Sequence, residues 1–357
     1  MSASPIDIVI FAPLAPLFGV LLFWFIQLLF IESQKYQLSK IWDKHKPFCR
    51  FTNLLGIIYQ TFCHALGYTV TKSGISNFYI SVDYGKVDPK KEKKGIFEWT
   101  SNAFLFVGPF FIPSLLLTIL FIFISERTIN IAQSVEYGFA EGMINFGTNL
   151  HSFSENLILF LIDIDLLHPP HVAFLLLLIF LGMGIRPSYI GEEKQKKVNM
   201  LYDLNNIKIH IFQQPLYIFI LVILAYIFSY IAVLLNANWY VLIFSIFGWL
   251  SIIAIVSILI AHLLILLIRV TDNFKKIIKI LIFLNIPISY ALMRFLLLFI
   301  LPKEYITSIS LLIMIISTSL IVLILIKIKT NKLKTKSKMK DLRVEDGPAR
   351  NIRKRKS

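Results

Sequence analysis

Long apolar runs separated by short charged gaps dominate the pattern along the chain. A membrane-crossing helix needs about 20 mainly apolar residues. Eight runs meet that need, at 6–31, 51–70, 100–125, 168–185, 216–235, 239–268, 277–301 and 305–326. Only Asn236, Ala237 and Asn238 join the fifth to the sixth, which predicts a tight antiparallel helix pair. A shorter apolar stretch, 157–167, is expected at the interface ahead of the fourth run. Segment 74–87 has a different period. Phe78, Ile80 and Val82 alternate with Tyr79, Ser81 and Asp83, as in a half-buried strand. A turn at Tyr84–Gly85 predicts a hairpin there. The expected fold is an all-α polytopic membrane protein with about eight transmembrane helices and one short β-hairpin at the cytosolic interface.

Composition agrees with that pattern. Of 357 residues, 57% are hydrophobic and 16% charged, against about 25% charged in a soluble domain. The charges sit in the gaps, so the runs have no polar face to turn toward water, and hydrocarbon is the solvent they fit. The net charge of +15 falls in the same gaps and in the tail, where it sets topology rather than marking nucleic-acid binding. Cys49 and Cys63 are too few for a disulfide framework. Asp7 is the first charge and no basic leader precedes the first run, so that run is expected to be a retained helix.

Lysine and arginine orient the runs. Segment 186–214 carries five, 269–276 three and 327–357 thirteen, while Lys303 alone follows the seventh run. This alternation predicts that those segments, the C-terminal tail and 71–99 with its six lysines are cytosolic. Segment 32–50 also carries Lys35, Lys40, Lys44, Lys46 and Arg50. It cannot share a side with 71–99 if 51–70 crosses fully between them. One of the first two runs is then re-entrant, or the charge rule fails at that loop.

The second run contains Gly56-Ile57-Ile58-Tyr59-Gln60-Thr61-Phe62-Cys63-His64-Ala65-Leu66-Gly67. Strand-like 74–87, Gly108-Pro109 in the third run and Pro187-Ser188 closing the fourth follow it. This order of parts resembles the site-2-protease-like intramembrane metalloproteases, over roughly residues 50–195. The resemblance implies a helix bearing His-Glu-x-x-His and a later helix donating an acidic ligand. In such a motif two histidines one turn apart hold zinc, and the glutamate activates its water. Aligning His64 with the second histidine puts Gln60 at the first, Thr61 at the glutamate and Gly191 near the third ligand. Glutamine is a poor zinc ligand and threonine no base near neutral pH. The resemblance therefore implies a degenerate site, with His64 its vestige. The plainer reading makes His64 a packed polar residue of an apolar helix. Glu192 and Glu193 are the carboxylates nearest in sequence that an active variant could borrow.

Other candidates lie elsewhere. Asp163, Asp165, His168 and His171 carry metal-binding chemistry, although Pro169 and Pro170 break any helical ligand spacing between them. A polar interfacial turn, with proline at the first helical position, is the plainer account. Arg294 either snorkels toward the interface or lines a polar path with His262. The tail is expected to be disordered and to attract anionic lipid, RNA or a ribosome.

Four regions are expected: 1–50, a membrane segment and basic loop; 51–195, the protease-like core; 196–326, a four-helix membrane half; and 327–357, the tail. The functional expectation is a catalytically inactive plasma-membrane protein that binds transmembrane helices of partner proteins. No cofactor is expected in that case. The rivals are an active zinc metalloprotease with an atypical site and a transporter.

Overall fold

The structure, a computed structural model, describes residues 4–125, 129–131, 138–185, 205, 208, 209 and 212–353, with side-chain surroundings as far as Asn331. The chain divides into two compact units: Met1–Leu161 with His168–Arg269, and Ile162–Leu167 with Val270–Ser357. Through the first run a π-helical turn Asp7–Phe11, α1 (Leu14–Ile41), α2 (Lys46–Val70), strands β1 (Ile75–Ile80) and β2 (Gly85–Pro89), α3 (Ile96–Phe106), α4 (Gly108–Ser125), α5 (Phe139–Ile162), α6 (Pro169–Gly184), α7 (Pro215–Leu234) and α8 (Trp239–Thr271). The second holds α9 (Lys276–Leu297) and α10 (Lys303–Arg353).

Among the described residues, six helices are long and apolar enough to cross a membrane: α1, α4, α7, α8, α9 and the Lys303–Asn331 part of α10. The protein is a multi-pass helical membrane protein. Two of the eight expected spans are not among these six. The run at 51–70 belongs to α2, whose 25 residues carry Lys46 and Arg50 on a strongly amphipathic helix. The run at 168–185 forms α6, apolar but only 16 residues long, with Pro169 and Pro170 in its first turn as expected.

Several boundaries differ from expectation for local reasons. The run at 100–125 is broken at Val107 into α3 and α4, because Pro109 has no N–H to donate and its ring opposes a continuous ladder. Helix α1 starts after Pro13 and continues ten residues past Ile31. Beyond that point Lys35 pairs with Glu32 at 3.7 Å, and the Gln34 amide donates to the Gly182 carbonyl at 2.7 Å. The stretch 157–167 is the end of a 24-residue helix, α5, followed by a turn. Its buried residues Gly142, Asn145, Phe146, Asn149, Leu150, Phe153, Leu157 and Phe160 recur every three or four positions. The last helix runs to Arg353, into the tail that was expected to be disordered.

The hairpin forms as an antiparallel pair, with Phe78 opposite Val87 and Tyr79 opposite Lys86. Its reversal spans Ser81–Tyr84 rather than Tyr84–Gly85. The Ser81 amide donates to the Tyr84 carbonyl at 2.9 Å, and the Ser81 hydroxyl accepts from the Tyr84 amide at 3.1 Å. Gly85 is thereby left to pack on α2. A Cβ there would overlap the Thr61 hydroxyl and come within 2.9 Å of Ile57.

Small residues set the helix contacts in the first unit, as packing between apolar helices in hydrocarbon requires. Gly182 backs onto the Ser257 carbonyl of α8 so closely that a Cβ would overlap it. Gly184 backs onto Leu55 and Tyr59, and Gly19 onto the Phe146 ring. Gly147, by contrast, faces open space. Gly182→Val should therefore lower stability by about 2 kcal/mol. Gly147→Ala should leave it unchanged or raise it by up to about 1 kcal/mol through helix propensity. Thermal unfolding of the two purified variants in one detergent checks both values.

Candidate functional site

Helix α2 carries the residues aligned with the metal motif. Thr61 is buried, and its hydroxyl donates to the Ile57 carbonyl one turn back at 2.6 Å. Gly85 of β2 presses on the same hydroxyl. The position that would need a glutamate thus faces the hairpin backbone at van der Waals contact. The His64 ring packs against Tyr68 one turn on, with centroids 4.4 Å apart and planes tilted by 35°. Such i, i+4 neighbours on one helix face meet by geometry alone. Gln60 is half-buried. Cys63 is buried against Gly108, on another face from His64. Pro187, Ser188, Gly191, Glu192 and Glu193 lie outside the described residues. Among the described residues, no three His, Cys, Asp or Glu side chains gather as a metal-holding group.

The second cluster is divided by its partners. His168 and His171 do meet, with ring centroids 4.6 Å apart, and His171 also packs edge-on to Phe160 at 5.2 Å. The two aspartates serve the second unit. Asp163 accepts from the Ser308 hydroxyl at 3.0 Å. Asp165 accepts from the Tyr290 hydroxyl, the Arg294 guanidinium and the Leu167 amide, each at 2.9 Å. Tyr290 in turn accepts from the Leu166 amide at 3.2 Å and is almost completely buried. The turn at 162–167 is thus stitched to α9 and α10 by charge-assisted bonds, the strong class of hydrogen bond.

This arrangement answers the question posed by Arg294 in its apolar helix. The guanidinium is neutralised by Asp165, with both side chains about one-fifth exposed. Tyr290 and Ser308 complete the network, and the sequence reading did not assign either a role with the aspartates. The tyrosine lies four residues before Arg294, on the same helix face, and that spacing was the available signal. His262 of α8 is half-buried, with Nδ1 buried and lacking a partner. Midway along α9, Asn285 donates to Thr318 at 3.1 Å and to Ser317 at 3.4 Å, joining α9 to α10.

Electrostatics make the Asp165 network pH-dependent. Burial pushes the Asp165 carboxyl up, but the Leu167 amide, the Tyr290 hydroxyl and Arg294 together outweigh it. They hold the group below its ordinary value of 3.8. A depressed carboxylate contributes stability above its unfolded value and loses it as pH falls through the folded one. The network should thus hold at neutral pH and weaken below about pH 4. Asp165→Asn should flatten that acid-side loss of stability. A cycle of Asp165→Asn, Arg294→Met and the double variant should show coupling of about 1 kcal/mol at pH 7. Unfolding measured across the acid range in detergent reads both effects.

No family model, curated protein or solved structure matches this chain.

Proposed function

We propose that this multi-pass membrane protein is non-catalytic, with a site-2-protease-like layout over roughly residues 50–195, and acts by holding transmembrane helices of other proteins. The observation that carries the reading is the state of the α2 face. Thr61 spends its hydroxyl on its own helix beneath Gly85, and the His64 ring packs at a tilt against Tyr68. These contacts support a packing role for Thr61 and His64 over a catalytic one. Zinc sites use three or four protein ligands, and loss of a general base costs roughly 10²–10⁴ in rate.

A surface that suits such a helix lies in the same unit. Helices α7 and α8 leave an open, wholly apolar groove of about 390 Å³, lined by residues including Leu224, Phe228, Ile231, Ile243 and Phe244. Its walls are fixed by the tight link through Asn236, which adopts a left-handed backbone at φ 53°. A groove of branched and aromatic side chains fits the flank of an apolar helix by dispersion contact. The Lys/Arg alternation supports a cytosolic C-terminus and a cytosol-facing hairpin, and the reading includes residence in the plasma membrane. The tail's charge suits the anionic inner leaflet, and RNA would find the same charge.

Two measurements test the reading. Purified protein should carry well under one zinc per chain, unaltered by His64→Ala; stoichiometric zinc that the substitution removes would promote the metalloprotease. A photo-crosslinking residue at Phe228 should give protein adducts in native membranes, whereas one at Phe123, 84% exposed on α4, should give mostly lipid adducts. Equal protein crosslinking at the two positions would rule out the groove.

A further inference from the structure

Helices α1 and α8 of the first unit run parallel, in one register. Near their starts the Tyr240 hydroxyl donates to the Pro13 carbonyl at 2.7 Å, and further along Leu38 and Ile265 share a buried cluster. Both pairs are 227 positions apart. Trp24 therefore stands level with Ser251, Gln27 with Ala254 and Ile31 with Ile258. On α8, Ser251, Ala254, Ile258, Ala261 and Ile265 are fully buried and recur every three or four positions, as one helix face does. Gln27, Ile31, Gln34 and Leu38 form the matching buried face of α1.

The first turn of α4 reaches the same level. Trp24 packs edge-on against Phe110 at 5.7 Å, and the Gln27 amide donates to the Phe110 carbonyl at 3.4 Å. That carbonyl also accepts from the Ser114 hydroxyl at 3.2 Å. The next residue, Phe111, packs on Phe247 at 5.5 Å, one turn before Ser251 on α8. Three helices thus bring Trp24, Gln27 and Ser251 to one level of the unit, where Ala254 contributes only a methyl group.

Three polar atoms at this level are buried and, among the described residues, lack a hydrogen-bond partner: Trp24 Nε1, Gln27 Oε1 and Ser251 Oγ. Their neighbours on α8 are engaged. The Trp249 indole donates to the Asn149 carbonyl at 3.1 Å, and the Ser257 hydroxyl donates one turn back to the Ile253 carbonyl at 2.7 Å. Polar groups left unmet in hydrocarbon are costly. The three atoms are an indole donor, an amide acceptor and a hydroxyl that serves as either. A ligand for them must accept from the first and donate to the second. A metal cation cannot accept from an N–H. Water does both, and a buried water makes about three hydrogen bonds, which matches the set in number and in sense.

We propose that α1, α4 and α8 enclose a binding site for a single water molecule, which accepts from Trp24 Nε1 and bridges Gln27 Oε1 to Ser251 Oγ. The water ties α1 to α8 where no direct side-chain hydrogen bond joins these residues. Ile31 and Ile258, both fully buried, form the next layer and close the site on the side of Gln34. The proposal rests on contacts within the first unit and not on the assignment of a partner helix or on the family layout.

The test is nuclear magnetic resonance of the full-length protein in lipid nanodiscs, with the indole nitrogens of its five tryptophans isotopically labelled. Trp24→Phe and Trp249→Phe assign the two signals needed. The Trp24 indole N–H should show a dipolar cross-peak to water, whereas that of Trp249, bonded to the Asn149 carbonyl, should show none. Ser251→Thr keeps the hydroxyl and should retain the Trp24 cross-peak. Ser251→Val has the same shape without the hydroxyl and should lose it. Gln27→Met should lose it too, and tests the site from a second helix. Absence of the Trp24 cross-peak in the parent protein, an equal one at Trp249, or its persistence in both Ser251→Val and Gln27→Met would overturn the proposal.

Discussion

Three helices of the first unit converge at Gly182. Its carbonyl accepts from Gln34 of α1, and its Cα face lies directly on the Ser257 carbonyl of α8, with Ala261 one turn further on. Hydrocarbon offers no alternative partner to a polar group, so a buried amide such as Gln34 needs a protein acceptor at close range. Backbone approach of this kind is possible only where no side chain intervenes. Gly184, the last residue of α6, repeats the device against α2. The short α6 thereby links α2 to α1 and α8.

Three polar residues, Asn149, Asn285 and Asp165, follow the same logic. Asn149 donates to Ser245 at 3.1 Å, and its carbonyl accepts from the Trp249 indole at 3.1 Å, binding α5 to α8. Asn285 binds α9 to α10, and Asp165 binds its turn to both Tyr290 and Arg294. Each of these residue types could serve chemistry in another setting. Here each has its hydrogen-bonding capacity engaged by a neighbouring element, which favours a structural role.

Helices α2 and α5 give the first unit surfaces of different composition. The α2 side gathers lysines and exposed aromatics around a two-stranded hairpin, whereas α5 exposes the His151–Glu155 pair on its outer face. A helix bearing two exposed polar side chains one turn apart suits a polar boundary more than acyl chains.

Membrane class, the helix pair joined at Asn236 and the hairpin near 74–87 were legible in the sequence. Each is set by a local pattern, namely run length against bilayer thickness, loop length and a period of two. The conflict between basic segments 32–50 and 71–99 was legible too, as a contradiction. The sequence alone does not resolve it, because an apolar run does not name the neighbours it packs on. Helix α5 escaped notice because its asparagines and serines interrupt the apolar run while leaving every third or fourth position buried. The aspartates at 163 and 165 carried metal-binding letters, but only the tertiary structure brought Arg294, Tyr290 and Ser308 to them across more than a hundred residues. Composition fixes the solvent in which a helix can exist. Which side chain neutralises a charge depends on contacts between distant segments, and no local pattern encodes those.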